Sequence, residues 1–381
     1  MPTSPLTAIP FNKPYLTGPE TRYIEQAVRL GKISGDGLFT KRCHAFFEQH
    51  FGFPKALLTT SCTDALEMAA LLLELEPGDE VIVPSYTFTS TANAFMLRGA
   101  RIVFADSSAE NPNLDARTLA GLVTPRTRAI VPVHYAGIAC DMDAIRQVAD
   151  HHGLAVIEDA AQAIDSYYKG RPLGSLGDLA AFSFHETKNI ISGEGGMLVV
   201  NNPRYADRAE IIREKGTNRS AFFRGEVDKY SWIDIGSSFL PSDIIAAFLW
   251  AQLEHLGQIQ QRRREIWQRY STALQPLRAL GVGLPVIPDY ATNNAHIFYL
   301  VCTSGEERTA LIAALRQQNV LAIFHYLPLH KSPLYARQHE SPHLPWADHY
   351  SDCLVRLPLY FELSEPEQAR ITDTVLRFYA V

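Results

Sequence analysis

The chain has 381 residues, of which 46% are hydrophobic and 20% are charged, the composition of a globular protein that buries a large core. Its 35 basic and 41 acidic residues give a formal net charge of -6, which argues against a general nucleic-acid-binding protein because such proteins carry a basic excess. No apolar run approaches the roughly 20 residues of a membrane span, so we expect no membrane association. Residues 1–17 show no apolar signal core, and we expect no secretion signal.

The first half of the chain alternates helical and strand patterns. Helices are predicted at 19–31, 41–50, 62–75, 88–98, 115–122 and 141–152. Short apolar strands are predicted at 57–58, 80–83, 101–105, 128–132 and 154–157. Such alternation is typical of βαβ units, so we predict a mostly parallel sheet flanked by helices.

The second half breaks this alternation. Strands are predicted at 179–184 and 197–200 with no long helix between them, which indicates one antiparallel neighbour. A long helix over 241–275 is predicted to lead into a smaller α+β unit. Its elements are predicted strands at 296–302 and 320–325 and helices at 306–318 and 365–379, with a loop at 281–290. We therefore expect a large α/β domain with an N-terminal arm over 1–240, and the linking helix with the small domain over 241–381.

The cysteines are five, scattered, and without a C-x-x-C pair, so they do not form a disulfide framework. We expect reduced thiols in a cytoplasmic protein. The histidines show no H-E-x-x-H spacing, and no metal site is predicted.

A helix is predicted to begin directly after the first strand, through small polar residues that end at Ser61. The first N–H groups of a helix have no partner within it and lie at the positive end of its dipole, so they can bind a phosphate. The hydroxyl groups of Ser61 or Thr63 can add hydrogen bonds, and Cys62 is interpreted as a small residue that lets a ligand approach. The plainer alternative is a capped helix without a ligand.

An acidic pair, Glu158 and Asp159, directly follows the strand predicted at 154–157. Ligands of open α/β sheets gather outside the carboxyl ends of strands, and a carboxylate there can hold the proton of a cationic ring nitrogen. Gln162 follows three residues later and can contact the same ligand. A solvated aspartate at a loop entry remains the alternative.

A lysine follows the next strand: Lys188 comes five residues after Ser183 and before a glycine-rich turn at Gly193–Gly196. A lone lysine is usually a surface charge, but a lysine in a cleft can act as a nucleophile. Together, the helix terminus, the acid and the lysine suit pyridoxal 5'-phosphate. That cofactor has a phosphate, a ring nitrogen that must stay protonated and an aldehyde that reacts with a lysine.

Four sequence runs resemble a known family. They are TSCTDALEMAALLL (Thr60–Leu73), EDAAQ (Glu158–Gln162), SFHETKN (Ser183–Asn189) and GEGG (Gly193–Gly196). With them the chain closely resembles the DegT/DnrJ/EryC1/StrS sugar-nucleotide aminotransferases. This resemblance implies the α/β fold of fold-type I pyridoxal-phosphate transferases, with a smaller α+β C-terminal domain.

The resemblance also implies roles for individual residues. Lys188 would be the catalytic lysine that binds the cofactor, Asp159 would pair with its ring nitrogen, Gln162 would lie beside the ring hydroxyl, and Phe88 would stack on the ring. Pyridoxal phosphate is thus the expected cofactor.

The phosphate would be held by the backbone amides of Cys62 and Thr63 and by the Ser183 hydroxyl. In many relatives an asparagine from the neighbouring subunit also contacts this phosphate, and Ser238 stands at that position here. The resemblance therefore implies a homodimer with shared active sites.

Candidate substrate contacts come from two polar clusters. Lys215 and Arg219 lie in a basic segment that suits a pyrophosphate, although a solvated loop is equally compatible. His325, Tyr326 and His330 form a polar-aromatic cluster that can contact the sugar or the nucleotide, or simply pack.

The resemblance implies that L-glutamate and dTDP-4-keto-6-deoxy-D-glucose react to dTDP-4-amino-4,6-dideoxy-D-galactose and 2-oxoglutarate, for an envelope polysaccharide. Four longer stretches favour this substrate: Pro84–Ala100, Val131–Gly137, Arg213–Trp232 and Phe324–His330. Amination at C3, a gluco product, a ketosugar dehydratase and a non-catalytic binding module remain alternatives. Family dehydratases carry histidine at the position of Lys188, which argues against the dehydratase.

Overall fold

The computed structural model describes residues 7–381, so the first six residues of the predicted N-terminal arm and of the 1–17 segment lie outside the described residues. The strands are β1 (Ala56–Thr59), β2 (Glu80–Pro84), β3 (Arg101–Ala105), β4 (Thr127–Ile130), β5 (Ala155–Asp159), β6 (Tyr167–Tyr168), β7 (Arg171–Pro172), β8 (Leu179–Ser183), β9 (Gly196–Val200), β10 (Phe298–Val301) and β11 (Leu354–Leu357).

The α-helices cover most of the remaining chain. They are α1 (Glu20–Arg29), α2 (Leu38–Phe51), α3 (Cys62–Leu72), α4 (Ser90–Met96), α5 (Leu119–Leu122), α6 (Met142–His152), α7 (Ala206–Arg213), α8 (Arg219–Phe223), α9 (Asp243–Leu253), α10 (Leu256–Ala273), α11 (Gly305–Gln317), α12 (Pro333–Ala336), α13 (Pro345–Cys353) and α14 (Glu365–Phe378). Within residues 7–381 none of them is long and apolar enough to cross a membrane.

Seven strands form one central sheet in the order β1-β9-β8-β5-β4-β2-β3. The pairs from β3 through β8 are parallel, whereas β9 runs antiparallel to both of its neighbours, β1 and β8. The predicted mostly parallel sheet is confirmed, and so is the predicted antiparallel neighbour. Only β9 is reversed because a short turn, rather than a crossover helix, joins it to β8.

Helices cover both faces of the sheet, which explains why its strands are apolar throughout. Along β2, Val81 and Val83 enter one hydrophobic core while Ile82 enters the other, since side chains of a strand alternate between its faces. Helix α3 packs into the first core and α2, α6 and α9 into the second.

The C-terminal part has its own small antiparallel pair, β10 and β11, packed with α10, α11 and α14 around a third core. Helix α14 starts with a capping box in which Ser364 and Glu367 bond each other's backbone N–H. The predicted smaller α+β unit is confirmed, although the sequence pattern did not indicate β11.

Two predicted elements are wrong. The helix over 241–275 is two helices, α9 and α10, and the His255 ring at the break donates to the Ala251 carbonyl at the end of α9 (2.9 Å). Residues 320–325 form only isolated bridges, Val320 with Ile9 and Ile323 with Arg356 of β11.

The division of the chain at residue 240 stays a prediction. Helix α9 packs against α1 and α2, and its Ala246 and Ala247 belong to the core of the large sheet. This packing favours a boundary between α9 and α10.

Candidate active site

A cavity of about 1060 Å³ opens at the sheet edge where β1, β2, β5 and β8 end. Ligands of open α/β sheets bind at this edge, and the volume accommodates a cofactor together with a substrate. The predicted site residues that line it are Cys62, Thr63, Phe88, Asp159, Gln162, Ser183, Lys188, His325 and Tyr326. The tertiary structure therefore brings together residues from five separate segments of the chain.

The N-terminus of α3 forms one end of the cavity. Ser61 is the N-cap, and its hydroxyl accepts the backbone N–H of Asp64 (3.0 Å). The amides of Cys62 and Thr63 belong to the first turn, where N–H groups have no acceptor within the helix. Strand β9 passes beside this turn so closely that a Cβ on Gly196 would overlap the backbone of Ser61 and Cys62. This backbone-lined, glycine-dependent turn fits a phosphate group.

The side chains around this turn support the same assignment. The hydroxyls of Thr63 and Ser90 are hydrogen-bonded to each other (2.8 Å), and Ser183 also lines the cavity. Burial, reinforced by the charge of Asp159, raises the pKa of the Cys62 thiol well above its usual range. A thiol kept protonated is a poor nucleophile, which agrees with the interpretation of Cys62 as a small permissive residue.

Glu158 and Asp159 point to opposite faces of β5 and have different surroundings. Glu158 is fully buried and lies 3.0 Å from His134 Nε2. Its two oxygens also accept backbone N–H bonds at 2.6–2.7 Å from Gly174, Leu176 and Gly177. Since every oxygen is occupied by the fold itself, Glu158 positions the loop after β7.

Asp159 lines the cavity instead. Its Oδ2 accepts the Thr91 hydroxyl (2.7 Å) and its Oδ1 accepts the Ala161 N–H (3.2 Å). Burial raises the pKa of Asp159, while the Thr91 hydroxyl and the charge of Lys188 act in the opposite direction. Among residues 7–381 no cation lies within ion-pair distance of this carboxylate, so a protonated ring nitrogen in the cavity would satisfy it.

Lys188 lies in the turn after β8, where its backbone N–H donates to the His185 carbonyl (2.9 Å), and its half-buried side chain lines the cavity. The next residue, Asn189, anchors this turn from behind. Its Nδ2 donates to Gln260 Oε1 and to the Asn294 carbonyl, both at 2.8 Å.

The oxygen of Asn189 remains as acceptor, so His296 Nδ1 donates to it (2.9 Å). Burial lowers the pKa of His296 well below its usual value, and the positive charge of Lys188 adds to this. His296 is therefore neutral, with an acceptor lone pair on Nε2, in the cavity wall.

Gln162, Tyr326 and Phe88 form another wall. Gln162 is oriented by the Ala136 N–H, which donates to its Oε1 (2.7 Å), and its Nε2 donates to the Tyr326 hydroxyl (3.1 Å). The Phe88 ring lies 6.1 Å from the Tyr326 ring and is 57% exposed. A large exposed aromatic ring inside a cavity is available for stacking on a planar ligand.

Four candidate residues do not line the cavity: Lys215, Arg219, Ser238 and His330. Lys215, Arg219 and Ser238 are exposed, and Arg219 pairs with Glu214 (3.2 Å). Since the predicted role of Ser238 was in a neighbouring subunit, its position outside its own cavity does not conflict with that role.

The substrate contact predicted for His330 stays a prediction, but the packing of this residue favours the alternative of a structural role. His330 is fully buried, and its Nδ1 lies 2.7 Å from the Ser85 hydroxyl, so the imidazole fastens the segment after Tyr326 to the loop after β2. The sequence could not show this because the two partners are 245 residues apart.

The cavity lining also contains residues that were not predicted, and three of them have polar contacts that matter for the site: Thr91, His296 and Arg356. Arg356 carried a usable signal, since it is the single charge in the apolar run of β11. Thr91 and His296 carried none, because a buried threonine or histidine is ordinary in a core.

The same fold occurs in solved sugar aminotransferases. The putative sugar aminotransferase Spr1654 from Streptococcus pneumoniae, in its PLP form, superposes with a TM-score of 0.90 at 28% identity, over 98% of this chain and 99% of that chain. DesV of S. venezuelae, in complex with a ketimine intermediate, superposes with a TM-score of 0.88 at 32% identity, over 98% and 99%. The fold is thus the fold-type I α/β aminotransferase fold, as predicted.

The family follows from the sequence comparison. The DegT/DnrJ/EryC1/StrS aminotransferase family matches residues 14–376, and the chain belongs to this family. The spore coat polysaccharide biosynthesis protein SpsC of Bacillus subtilis (strain 168) is 35% identical over 376 residues, which cover 96% of each chain. The predicted family and the prediction of an aminotransferase are confirmed.

Proposed function

We propose that this enzyme transfers the amino group of L-glutamate to dTDP-4-keto-6-deoxy-D-glucose, giving 2-oxoglutarate and dTDP-4-amino-4,6-dideoxy-D-galactose. The chain is a pyridoxal-phosphate-dependent sugar aminotransferase, and the proposal specifies its substrates. The observation that carries the chemistry is the meeting of Lys188, Asp159 and the α3 N-terminus at one cavity.

The cavity residues fit pyridoxal phosphate. The amides of Cys62 and Thr63 and the Ser183 hydroxyl would hold the phosphate, since this turn offers unpaired donors. Asp159 would face the ring nitrogen, and the exposed Phe88 ring would stack on the pyridine.

The bound cofactor supplies an aldehyde for covalent attachment and a ring that stabilises negative charge on the carbon that loses a proton. Asp159 would keep the ring nitrogen protonated, because a buried carboxylate and a protonated nitrogen in contact with it stabilise each other's charge. Lys188 Nζ would act first as a base that takes the proton from the α-carbon of the donor, and then as an acid that passes this proton to the cofactor. Gln162, whose amide is held by Ala136 and Tyr326, would lie beside the ring hydroxyl of the cofactor.

The sugar assignment rests on similarity in longer stretches around this site. Two of them, Pro84–Ala100 and Phe324–His330, supply residues to the cavity lining. The name of SpsC, a polysaccharide biosynthesis protein, supports a role in the supply of an envelope sugar, which we place in the cytoplasm. The retained Lys188 argues against the dehydratase alternative, whereas amination at C3 or a gluco product would use the same residues.

We also propose a homodimer that shares its active sites. The segment before Ser238 exposes large apolar side chains: Phe223 is 68% exposed, Trp232 81% and Ile233 53%. Such a cluster is costly on a monomer surface. A two-fold contact through it would bury these side chains and carry Ser238 toward the phosphate seat of the partner.

The cofactor role of Lys188 has a direct test. Purified protein should be yellow and lose its colour on borohydride reduction with the cofactor fixed to Lys188, as mass spectrometry of peptides would show. The Lys188→Ala variant should bind no cofactor covalently. Lys169→Ala, which removes an exposed lysine paired with Asp143, is the control and should behave as the unmodified chain.

The substrate proposal is tested by product analysis. The enzyme is incubated with L-glutamate and a panel of nucleotide ketosugars, and the products are examined by NMR. An axial 4-amino group on the dTDP sugar supports the proposal. An equatorial 4-amino group, amination at C3, or loss of water without amination overturns it.

A further inference from the structure

Arg356 is a buried cation in the cavity wall with an unused hydrogen-bond donor. Its side chain is 5% exposed, and its Nε donates to the Tyr135 hydroxyl (3.2 Å). The outer nitrogen Nη2 is buried and has no hydrogen-bond partner. A buried guanidinium nitrogen without a partner is costly, so a ligand in the cavity that accepts from it would be stabilised.

The neighbours of Arg356 are aromatic rather than acidic. Its guanidinium lies over the rings of Tyr135 (5.3 Å) and Tyr326 (5.0 Å). Within residues 7–381 no carboxylate lies within ion-pair distance of it. Burial opposes its charge, but the tyrosine groups around it, including Tyr86, raise the pKa of Arg356, so it stays protonated.

Arg356, Lys188 and His296 line the same cavity. The pKa of the neutral His296 is lowered first by burial and then by the charges of Lys188, Arg263 and Arg356. Arg263 is occupied, since it donates to the backbone carbonyls of Ala295 and His296. Among the described residues, Arg356 is also the only arginine in the lining of the cavity that contains Lys188, so its guanidinium is the one available to a ligand there.

We propose that Arg356 binds the α-carboxylate of the amino donor through Nη2. This inference rests on the proposed function and specifies how that function selects its donor. The α-carboxylate is bonded to the carbon whose proton Lys188 removes. A cation in the same cavity as Lys188 is therefore in a suitable place to bind this carboxylate. A nucleotide pyrophosphate does not fit, because it is joined to C1 while the reacting carbon is C4, across the sugar ring. A planar guanidinium also matches a carboxylate in shape.

The aromatic surroundings explain how one cavity can serve two unlike substrates. The donor is an anion at this position, whereas the 4-keto sugar that follows it is neutral there. The ring faces of Tyr135 and Tyr326 stabilise the guanidinium through cation–π contacts when the carboxylate has left. An acidic partner would do so as well, but it would compete with the donor carboxylate.

The test separates the two half-reactions of the purified holoenzyme. Conversion of the cofactor by L-glutamate is followed by its absorbance in single turnovers, and the return reaction is followed with the ketosugar. Arg356→Lys keeps the positive charge but loses the planar guanidinium with its paired N–H donors, and Arg356→Met loses both the charge and these donors. We expect glutamate to bind about 10- to 100-fold more weakly to both variants, as for loss of a charged hydrogen bond. The ketosugar should bind the pyridoxamine form within about threefold of its original affinity.

Two competitors assign the carboxylate. L-glutamine keeps the α-carboxylate and isoglutamine lacks it, so glutamine should compete better with glutamate, and Arg356→Lys should abolish this preference. A preference for isoglutamine, an unchanged glutamate affinity in both variants, or a larger loss for the ketosugar overturns the inference. Arg308→Met removes a guanidinium that stacks on Phe324 outside the cavity, and it should leave both affinities unchanged.

Folding and function are checked separately. Thermal unfolding and cofactor content show whether Arg356→Met is folded, and Arg356→Lys carries the test if it is not. If the unmodified enzyme fails to react with L-glutamate, the proposed function fails. If it reacts and the Arg356 variants react equally well, only the present inference fails.

Discussion

Thr91 donates a 2.7 Å hydrogen bond to Oδ2 of Asp159 and thereby holds this carboxylate at the cavity wall. The contact joins the start of α4 to the end of β5 across 68 residues of sequence. It stabilises the ionised form of a carboxylate whose pKa burial raises.

We expect Thr91→Val to raise the pKa of Asp159 further and to weaken its hold on the ring nitrogen. Activity should fall about tenfold, as for loss of one hydrogen bond to a charged group. The acidic limb of the pH–activity profile should move to higher pH. Thr87→Val removes the hydroxyl that contacts Thr91 (3.0 Å) but not Asp159, and it should have a much smaller effect. Equal effects of the two variants would contradict the assignment.

Replacement of the two carboxylates of β5 should have different effects: loss of Asp159 should lower activity, and loss of Glu158 should lower stability. Asp159→Asn should lower kcat about 100- to 1000-fold, as for removal of one electrostatic stabiliser, with little change in thermal stability. Glu158→Gln places an amide against several N–H donors and should lower the free energy of unfolding by about 2–4 kcal/mol. Steady-state kinetics and denaturant unfolding of both variants measure this contrast. A large stability loss for Asp159→Asn would argue that it, too, is structural.

Gly196 should be required for phosphate binding at the N-terminal turn of α3. A Cβ at this position would overlap the backbone of Ser61 and Cys62, so Gly196→Ala must displace the first turn of α3. We expect pyridoxal phosphate to bind about 10- to 100-fold more weakly, measured by titration of the apoenzyme. Gly193→Ala, in the same motif, adds a Cβ that meets only open space. Its positive φ of +82° causes backbone strain, but no neighbouring backbone is displaced, so the affinity for the cofactor should hardly change.

His296 should make stability depend on pH in the acidic range. Its folded pKa lies well below the ordinary value of about 6.5, so below that pH the unfolded chain binds a proton that the folded chain does not. The free energy of unfolding should then fall by up to about 1.4 kcal/mol per pH unit for this group as the pH drops. His296→Asn should flatten this slope between about pH 6.5 and 5, whereas His151→Asn, on the surface, should not. Parallel slopes for all three proteins would contradict the assignment.

The apolar segment before Ser238 should control assembly. Trp232→Glu places a charge on its most exposed ring, and we expect a dimer to dissociate, with weaker cofactor retention because Ser238 no longer reaches the partner's site. Light scattering measures the mass of the assembly, and absorbance measures the amount of bound cofactor. Trp346→Glu alters another exposed tryptophan, 40% exposed, and should leave a dimer intact. A monomeric unmodified protein that retains its cofactor would contradict the proposal.

Much of the site followed from local patterns. A strand that ends at a capped helix, as at Ser61, produces unpaired N–H groups wherever it occurs, and a carboxylate after an apolar strand, as at Asp159, reaches the ligand edge of any open α/β sheet. These features depend on neighbours only a few residues away. Lys188 taken alone would have been interpreted as a surface charge. Its combination with these two features indicated pyridoxal phosphate, and the resemblance then supplied its catalytic role.

Sequence periodicity by itself determined the α/β class and the parallel strands, because periodicity reports which face of an element is buried. The residue types at helix starts, such as Ser61, indicated the caps. Only the tertiary structure decided that α9 and α10 are separate helices, that His330 fastens Ser85, and that Arg356 meets Tyr135, 221 residues away. Such contacts depend on the strand order and on how the C-terminal part packs over the sheet. The strand order and this packing cannot be recognised from sequence periodicity. Each contact joins residues that are far apart in the chain, and periodicity reports only on neighbouring residues.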